Sequence, residues 1–229
     1  MKIKKTLLSL ALLACLCTGS ALAADWYYLG TSSSGDTYYV DNSSVEKNDD
    51  TAVIWEKITD KKGSSWVQQV IVSRKNRTSA LVKRYIVEPD GKVYQNFSAK
   101  SKSDLDFYSI RPESSSEIFY NSIWPNKADM SSNRWYYLGN EGDTTYYIDN
   151  STVQKDSNTA IVWVKEMNSH GDCYIQQCLL KRRDQTIKIL DLTYVQANGY
   201  TDYEGGRQNS ESIWSQPFYQ KIYYAIWSN

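Results

Sequence analysis

Trp26-Tyr27-Tyr28-Leu29-Gly30 returns unchanged as Trp135-Tyr136-Tyr137-Leu138-Gly139. Thr37-Tyr38-Tyr39-Val40-Asp41-Asn42-Ser43 returns as Thr145-Tyr146-Tyr147-Ile148-Asp149-Asn150-Ser151, and Thr51-Ala52-Val53-Ile54-Trp55 as Thr159-Ala160-Ile161-Val162-Trp163. A solenoid repeat runs roughly 20–50 residues. The period here is that of one small domain, so the chain reads as a domain written twice.

Within one copy, aromatic and β-branched runs are separated by turn residues. They predict strands at 26–30, 37–41, 51–59, 65–73, 79–87 and 92–98, with turns at Gly35-Asp36, Asn42-Ser43, Lys62-Gly63, Lys75-Asn76 and Pro89-Asp90-Gly91. The gaps are short enough for hairpins, which makes the sheet antiparallel. Alternation puts Val53, Trp55 and Lys57 on one side and Ala52, Ile54 and Glu56 on the other. Both sides are largely apolar, so this strand is expected to be central and covered twice.

A helix is expected to close each copy. Ser114-Ser115-Ser116-Glu117 reads as a capping box, followed by Ile118, Phe119, Ser122 and Ile123 at helical spacing and a stop at Trp124-Pro125. The second copy has Ser215-Gln216-Pro217 as a start, an Ile222, Tyr223 and Ile226 stripe, and Trp227 at the end. The expected fold class is therefore α+β: two tandem small domains, each an antiparallel meander of about six strands with one C-terminal helix packed on it. The domains are placed at 24–125 and 135–229, with a polar linker at 126–134.

Residues 1–23 read as a signal peptide: Lys2, Lys4 and Lys5, an apolar run from Leu7 to Leu16, and the cleavage signature Ala21-Leu22-Ala23. The mature protein is expected to be exported, in the periplasm, on the outer surface or secreted. A lipid anchor at Cys15 is the less favoured alternative, because Leu12-Leu13-Ala14-Cys15 fits a lipoprotein box poorly. The whole chain balances 26 basic against 26 acidic residues. Losing three leader lysines leaves the mature chain slightly acidic, which argues against nucleic acid as a partner. The leader's apolar run is far shorter than the roughly 20 residues a spanning helix needs, and no other stretch approaches that length, so no transmembrane segment is expected. Cys173 and Cys178 are five residues apart, which puts them on opposite faces of an extended strand. The distance along that strand is too long for a disulfide without a bend.

These copies resemble tandem surface-adhesin E domains. The motifs that carry the resemblance are Trp26, Tyr38 to Ser43, Val53 to Trp55, Lys75 to Thr78 and Ser114 to Trp124. In the second copy they are Trp135, Tyr146 to Ser151, Ile161 to Trp163, Arg183 to Thr186 and Ser215 to Trp227. The resemblance implies a non-catalytic extracytoplasmic or cell-surface binding role, with a protein partner such as a host matrix protein. It also implies a cysteine pair tethering helix to sheet; here those places hold Arg74 with Trp124 and Arg182 with Trp227. Burial of the two tryptophans is expected to replace the tether, each hiding about 150–250 Å².

No chemical constellation competes with that reading. The single histidine, His170, sits in the turn Asn168-Ser169-His170-Gly171-Asp172 and is expected to be exposed. No zinc set, Gly-rich phosphate loop or nucleophile elbow is present in the sequence, so no catalytic residue, metal or cofactor is assigned. Asp41 and Asp149 are read as turn-fixing carboxylates rather than an acid–base pair. Lys57 and Lys165 are read as lysine stems lying across the tryptophan of their own strand face. The 19 tyrosines mostly fall at positions that repeat between copies and are assigned to the core and sheet. Partner contacts are assigned to loops that differ between copies, 100–111 and 197–212, with Arg111, Tyr200, Tyr203 and Arg207 as candidates. Two alternatives stand beside binding: a small periplasmic enzyme or inhibitor with its site in an interdomain groove, and a cell-envelope assembly component that pairs through free sheet edges.

Overall fold

A computed structural model describes residues 24–125 and 134–227. The signal peptide assigned to 1–23, with Cys15, and all of the assigned linker except Arg134 lie outside the described residues.

Among the described residues, two antiparallel eight-stranded sheets and two α-helices make up the fold. The first sheet contains β1 (Trp26–Thr31), β2 (Thr37–Asp41), β3 (Glu46–Lys47), β4 (Thr51–Thr59), β5 (Ser65–Ser73), β6 (Thr78–Val87), β7 (Val93–Ser98) and β8 (Phe107–Ser109). Its order is β1-β2-β4-β5-β6-β7, with β3 beside β4 and β8 beside β6. Those six principal strands are the ones the sequence predicts. The two additions are two or three residues long, too short for an alternation pattern to mark them.

The second sheet repeats this with β9 (Trp135–Glu141), β10 (Thr144–Asp149), β11 (Gln154–Lys155), β12 (Thr159–Met167), β13 (Cys173–Lys181), β14 (Thr186–Val195), β15 (Thr201–Tyr203) and β16 (Glu211–Ser212). Its order is β15-β14-β13-β12-β10-β9. Even an irregularity is copied: the β1–β2 register shifts between Tyr28 and Gly30, and the β9–β10 register shifts between Tyr146 and Tyr147, opposite Gly139. Such a bulge favours glycine, and Gly139 has φ 129°, where a side chain would be strained.

The described residues group into two compact units. One runs up to Ser73 and includes Ala80–Asp106; the other joins Arg74–Ser79 to the chain from Phe107 onward. Helix α1 (Ser115–Ile123) thus belongs to the unit that contains the second sheet and helix α2 (Pro217–Trp227).

In that second unit, one sheet face packs under α2. Ile148, Ala160, Val162, Val164, Cys178 and Leu180 meet Phe218, Tyr219, Ile222 and Ile226 in a single buried cluster. Trp163, Cys173 and Ile175 form a second cluster, with Trp135, Met167 and Val195 against it. Alternation along β12 and β13 puts this cluster on the opposite face. The central strand is therefore buried on both sides, as its apolar alternation requires. Cys173 and Cys178 are unbridged and buried, one in each cluster.

The helix stripes need one correction. Helix α1 buries Glu117, Phe119, Tyr120 and Ile123, while Ile118 and Ser122 face outward. Tyr120 takes an inward position, with the Arg77 guanidinium over its ring, 4.6 Å from the centroid. The implied tether positions do meet: Arg74 lies 5.8 Å over Trp124 and Arg182 lies 6.0 Å over Trp227.

Candidate functional site

The open pocket in the second unit is built on the segment that leads into α1. Ile110 donates its backbone N–H to Arg77 (2.8 Å), which anchors the segment at a tight turn where Arg77 holds φ 48°. Ser109 Oγ then donates to Gln177 Oε1 (2.8 Å) on β13. Glu113 accepts from Lys165 Nζ and from Trp135 Nε1, both at 2.8 Å. Burial opposes ionisation of Glu113, but the Lys165 ammonium and the Trp135 indole hold its carboxyl below the ordinary range.

Glu117, the first acidic residue of α1, is gripped by two arginines. Arg134 donates Nη1 to Oε2 (2.7 Å) and Nη2 to Oε1 (3.1 Å), and Arg77 donates Nη2 to Oε1 (2.7 Å). Arg134 also reaches Asp149 Oδ2 at 2.5 Å. Burial works against the Arg134 charge, yet the two carboxylates overcome it and hold its pKa above the ordinary value. Two guanidiniums and two carboxylates are thereby buried as a neutral cluster, the arrangement that makes a buried charge tolerable.

Between this segment and β14 lies a pocket of about 250 Å³, lined by Tyr108, Arg111, Asp191 and Tyr203 together with the hydroxyl residues Ser109, Ser114, Ser116 and Thr193. Tyr108 and Tyr203 are each 56% exposed, while Asp191 is only 6% exposed. Among the described residues Asp191 accepts a single long hydrogen bond, from Thr193 Oγ1 at 3.5 Å. Burial pushes its carboxyl up, with Arg111 and Thr193 pulling the other way. Burial likewise lowers the Arg111 guanidinium, against the attraction of Asp191 and Glu113. The Tyr203 phenol is raised by burial and by the Asp191 charge. Aromatic walls over an acid and a base suit a polar group with apolar faces, such as a partner's side chain: the rings cover the faces, while Arg111 donates and Asp191 accepts. Ser114 is occupied as the helix N-cap, its Oγ accepting from Glu117 N and donating to Arg111 O.

Two of the four candidates from the sequence, Arg111 and Tyr203, line this one pocket although 92 residues separate them in the chain. The other two lie elsewhere. Tyr200 is exposed in the turn before β15, and Arg207 ion-pairs loosely with Glu211 at 3.5 Å. Tyr108, Asp191 and Thr193 were missed. Tyr108 lies inside the 100–111 loop already singled out, whereas Asp191 is an interior strand residue that nothing local distinguishes.

Asp41 and Asp149 each accept the N–H and hydroxyl of the serine two residues on, which is the turn role expected. His170 is exposed in its turn. The lysine expectation needs correcting: Lys57 Nζ sits over Trp26 (4.7 Å) and Tyr39 (4.4 Å), and Lys165 over Trp135 (4.1 Å). The tryptophan in each case comes from the first strand of the copy, not from Trp55 or Trp163, and Tyr39 on β2 adds a second ring under Lys57. The tyrosine assignment splits as well. Tyr38 and Tyr146 are buried, but Tyr27, Tyr28, Tyr136 and Tyr137 are exposed on the edge strands of both sheets. Among the described residues no group of three His, Cys, Asp or Glu side chains is placed to hold a metal, and no helix is long and apolar enough to cross a membrane. No protein-family model and no curated protein matches the chain.

Proposed function

We propose that this chain is an exported, non-catalytic binding protein built from tandem surface-adhesin E-like domains, with a protein or cell-surface component such as a host matrix protein as its partner. The observation that carries the reading is the convergence of exposed Tyr108 and Tyr203 over the buried Asp191 and the half-buried Arg111. Solvent-exposed rings beside a desolvated charge pair are costly to maintain without a contact to make. Binding of the purified chain to immobilised matrix proteins and to whole cells tests it. Tyr203→Ala and Tyr108→Ala should each weaken a saturable interaction at least tenfold, while Tyr200→Ala leaves it unchanged. Equal binding by all three variants overturns the role given to the pocket.

A second reading, assembly within the cell envelope by edge pairing, is favoured by one observation. Tyr27, Tyr28, Tyr136 and Tyr137 stand exposed on β1 and β9, the edge strands of the two sheets. Cross-linking in the native cell, through a photoreactive residue placed at Tyr27, separates the two: a stable envelope partner supports assembly, and capture only of an external ligand supports adhesion.

A further inference from the structure

The two copies carry the same receptor residues on the same sheet face, and in the second copy the structure shows what those residues hold. Lys165, Trp135 and Gln177 grip Glu113 and Ser109 of an extended segment, at 2.8 Å in every case. Their counterparts in the first copy are Lys57, Trp26 and Gln69. Strand registers keep the geometry: Lys57 lies opposite Val67 and Trp55 opposite Gln69, as Lys165 lies opposite Ile175 and Trp163 opposite Gln177. Lys57 Nζ stands over Trp26 as Lys165 Nζ stands over Trp135.

What differs is the state of the polar groups. Gln69 is 5% exposed, and its Oε1 is buried with no hydrogen-bond partner among the described residues, whereas Gln177 Oε1 accepts from Ser109. A buried acceptor left unmatched keeps its desolvation penalty uncompensated. Among the described residues Lys57 has no carboxylate within ion-pair distance, and burial lowers its pKa. Trp55 is half-buried, stacked on Tyr85 (6.1 Å), whereas its counterpart Trp163 is fully covered.

We propose that the face of the first sheet bearing Trp26, Lys57 and Gln69 binds an extended segment of a partner protein that presents a hydroxyl four residues ahead of a carboxylate. The carboxylate bridges the Lys57 ammonium and the Trp26 indole N–H, and the hydroxyl donates to Gln69 Oε1, as Glu113 and Ser109 do in the second unit. The chain's own second copy is a poor occupant. Matching Ile213 to Ile110, whose N–H groups bond Gln185 and Arg77 at corresponding turns, aligns Gln216 with Glu113 and Gln220 with Glu117. A third position tunes the ligand further. Where Arg134 and Asp149 meet Glu117, the first copy has Asp25 and Asp41, so a cation eight residues past the hydroxyl suits it better than an acid. This inference rests on the duplicated framework and is independent of the pocket.

The probe is a synthetic peptide of residues 107–117, Phe-Tyr-Ser-Ile-Arg-Pro-Glu-Ser-Ser-Ser-Glu, titrated into the full chain by calorimetry and by NMR of the tryptophan indole N–H signals. Saturable binding that shifts the Trp26 indole is expected. Glu113→Gln in the peptide, or Lys57→Met in the protein, should weaken it at least tenfold, and Glu117→Lys in the peptide should tighten it at least threefold. Gln69→Leu, which fills the same space without an acceptor, should also weaken binding, and Lys61→Met should leave it unchanged. Absence of saturable binding, or equal binding by the Lys57→Met protein, overturns the proposal. So do shifts confined to Tyr108 and Tyr203, or self-association of the chain that Lys57→Met abolishes, which would make a second copy the occupant.

Discussion

Glu56 lies on β4 directly opposite Gln68 on β5, on the face away from Lys57. Gln68 Nε2 donates to its carboxyl, and Arg84 Nε donates to Gln68 Oε1 at 2.7 Å. Burial pushes the Glu56 pKa from 4.5 to about 7, with the Gln68 hydrogen bond and the Arg84 charge pulling down. Because the folded value is the higher one, the native state holds a proton that the unfolded chain has released between pH 4.5 and 7. The stability Glu56 contributes is complete below pH 4.5 and is lost as pH rises through 7, on the order of 3 kcal/mol in all. Urea unfolding of the first unit, followed at pH 5 and pH 8, should show that loss. Glu56→Gln should flatten the profile and raise stability at pH 8; a wild-type profile that rises with pH would contradict the argument. The sequence puts Glu56 on an apolar face, which is enough to suspect it. It also separates the two cysteines, since an odd spacing sends them to opposite sides. The tryptophans under Lys57 and Lys165 were not legible, because they come from β1 and β9, two strands away in the sheet, and local alternation ranks only residues of its own strand.

Helix α1 shows how a local motif is right in kind and wrong in detail. Ser114 caps it as expected, its Oγ accepting from Glu117 N. The reciprocal half of the box is displaced: Glu117 Oε2 accepts from Glu113 N at 2.9 Å, and both carboxylate oxygens also face guanidiniums. Two buried arginines compete for that carboxylate, and no local pattern reports them, since Arg77 and Arg134 lie 40 and 17 residues away. The helix is thus held at its N-terminus by charge as much as by its apolar stripe. Glu117→Gln should cost about 3–5 kcal/mol, because Arg77, Arg134 and Asp149 lose the carboxylate that balances them in a buried cluster. Loss of hydrogen-exchange protection in α1 with protection retained in α2 is the measurement that checks it. At the far ends of the helices the stacked cations matter less: Arg182→Ala should loosen the last turn of α2 by about 0.5–1 kcal/mol, partly masked by Lys155 Nζ, which donates to Ile226 O at 2.7 Å.

At the scale of the whole molecule, the duplication, the six main strands per copy and the paired helices can be read directly from repeated motifs. The covering of the second face of β12 cannot. Its partner is the 107–117 segment, joined to the sheet by contacts such as Ser109 to Gln177 across 68 residues, and no short-range periodicity encodes contacts of that span. The trace that does survive in the sequence is a difference between copies: Glu113 and Glu117 on the segment that finds a cationic partner, Gln216 and Gln220 at the matching places. The packed body therefore begins before the repeat does, and cutting the chain at the two boundaries should separate them. A fragment of residues 135–229 lacks the segment beside Lys165 and Trp135, so the face carrying Trp163 and Cys173 should be uncovered. Cys173 should then react with a thiol reagent at least tenfold faster than in the full chain, and tryptophan emission should shift to the red. A fragment of residues 107–229 should keep Cys173 slow. Cys178, buried beneath α2, should stay unreactive in both as long as the sheet is folded, which distinguishes local uncovering from global unfolding. If Cys173 is equally protected in both folded fragments, the segment contributes nothing to that face, and the structural basis for matching Lys57 to Lys165 falls with it.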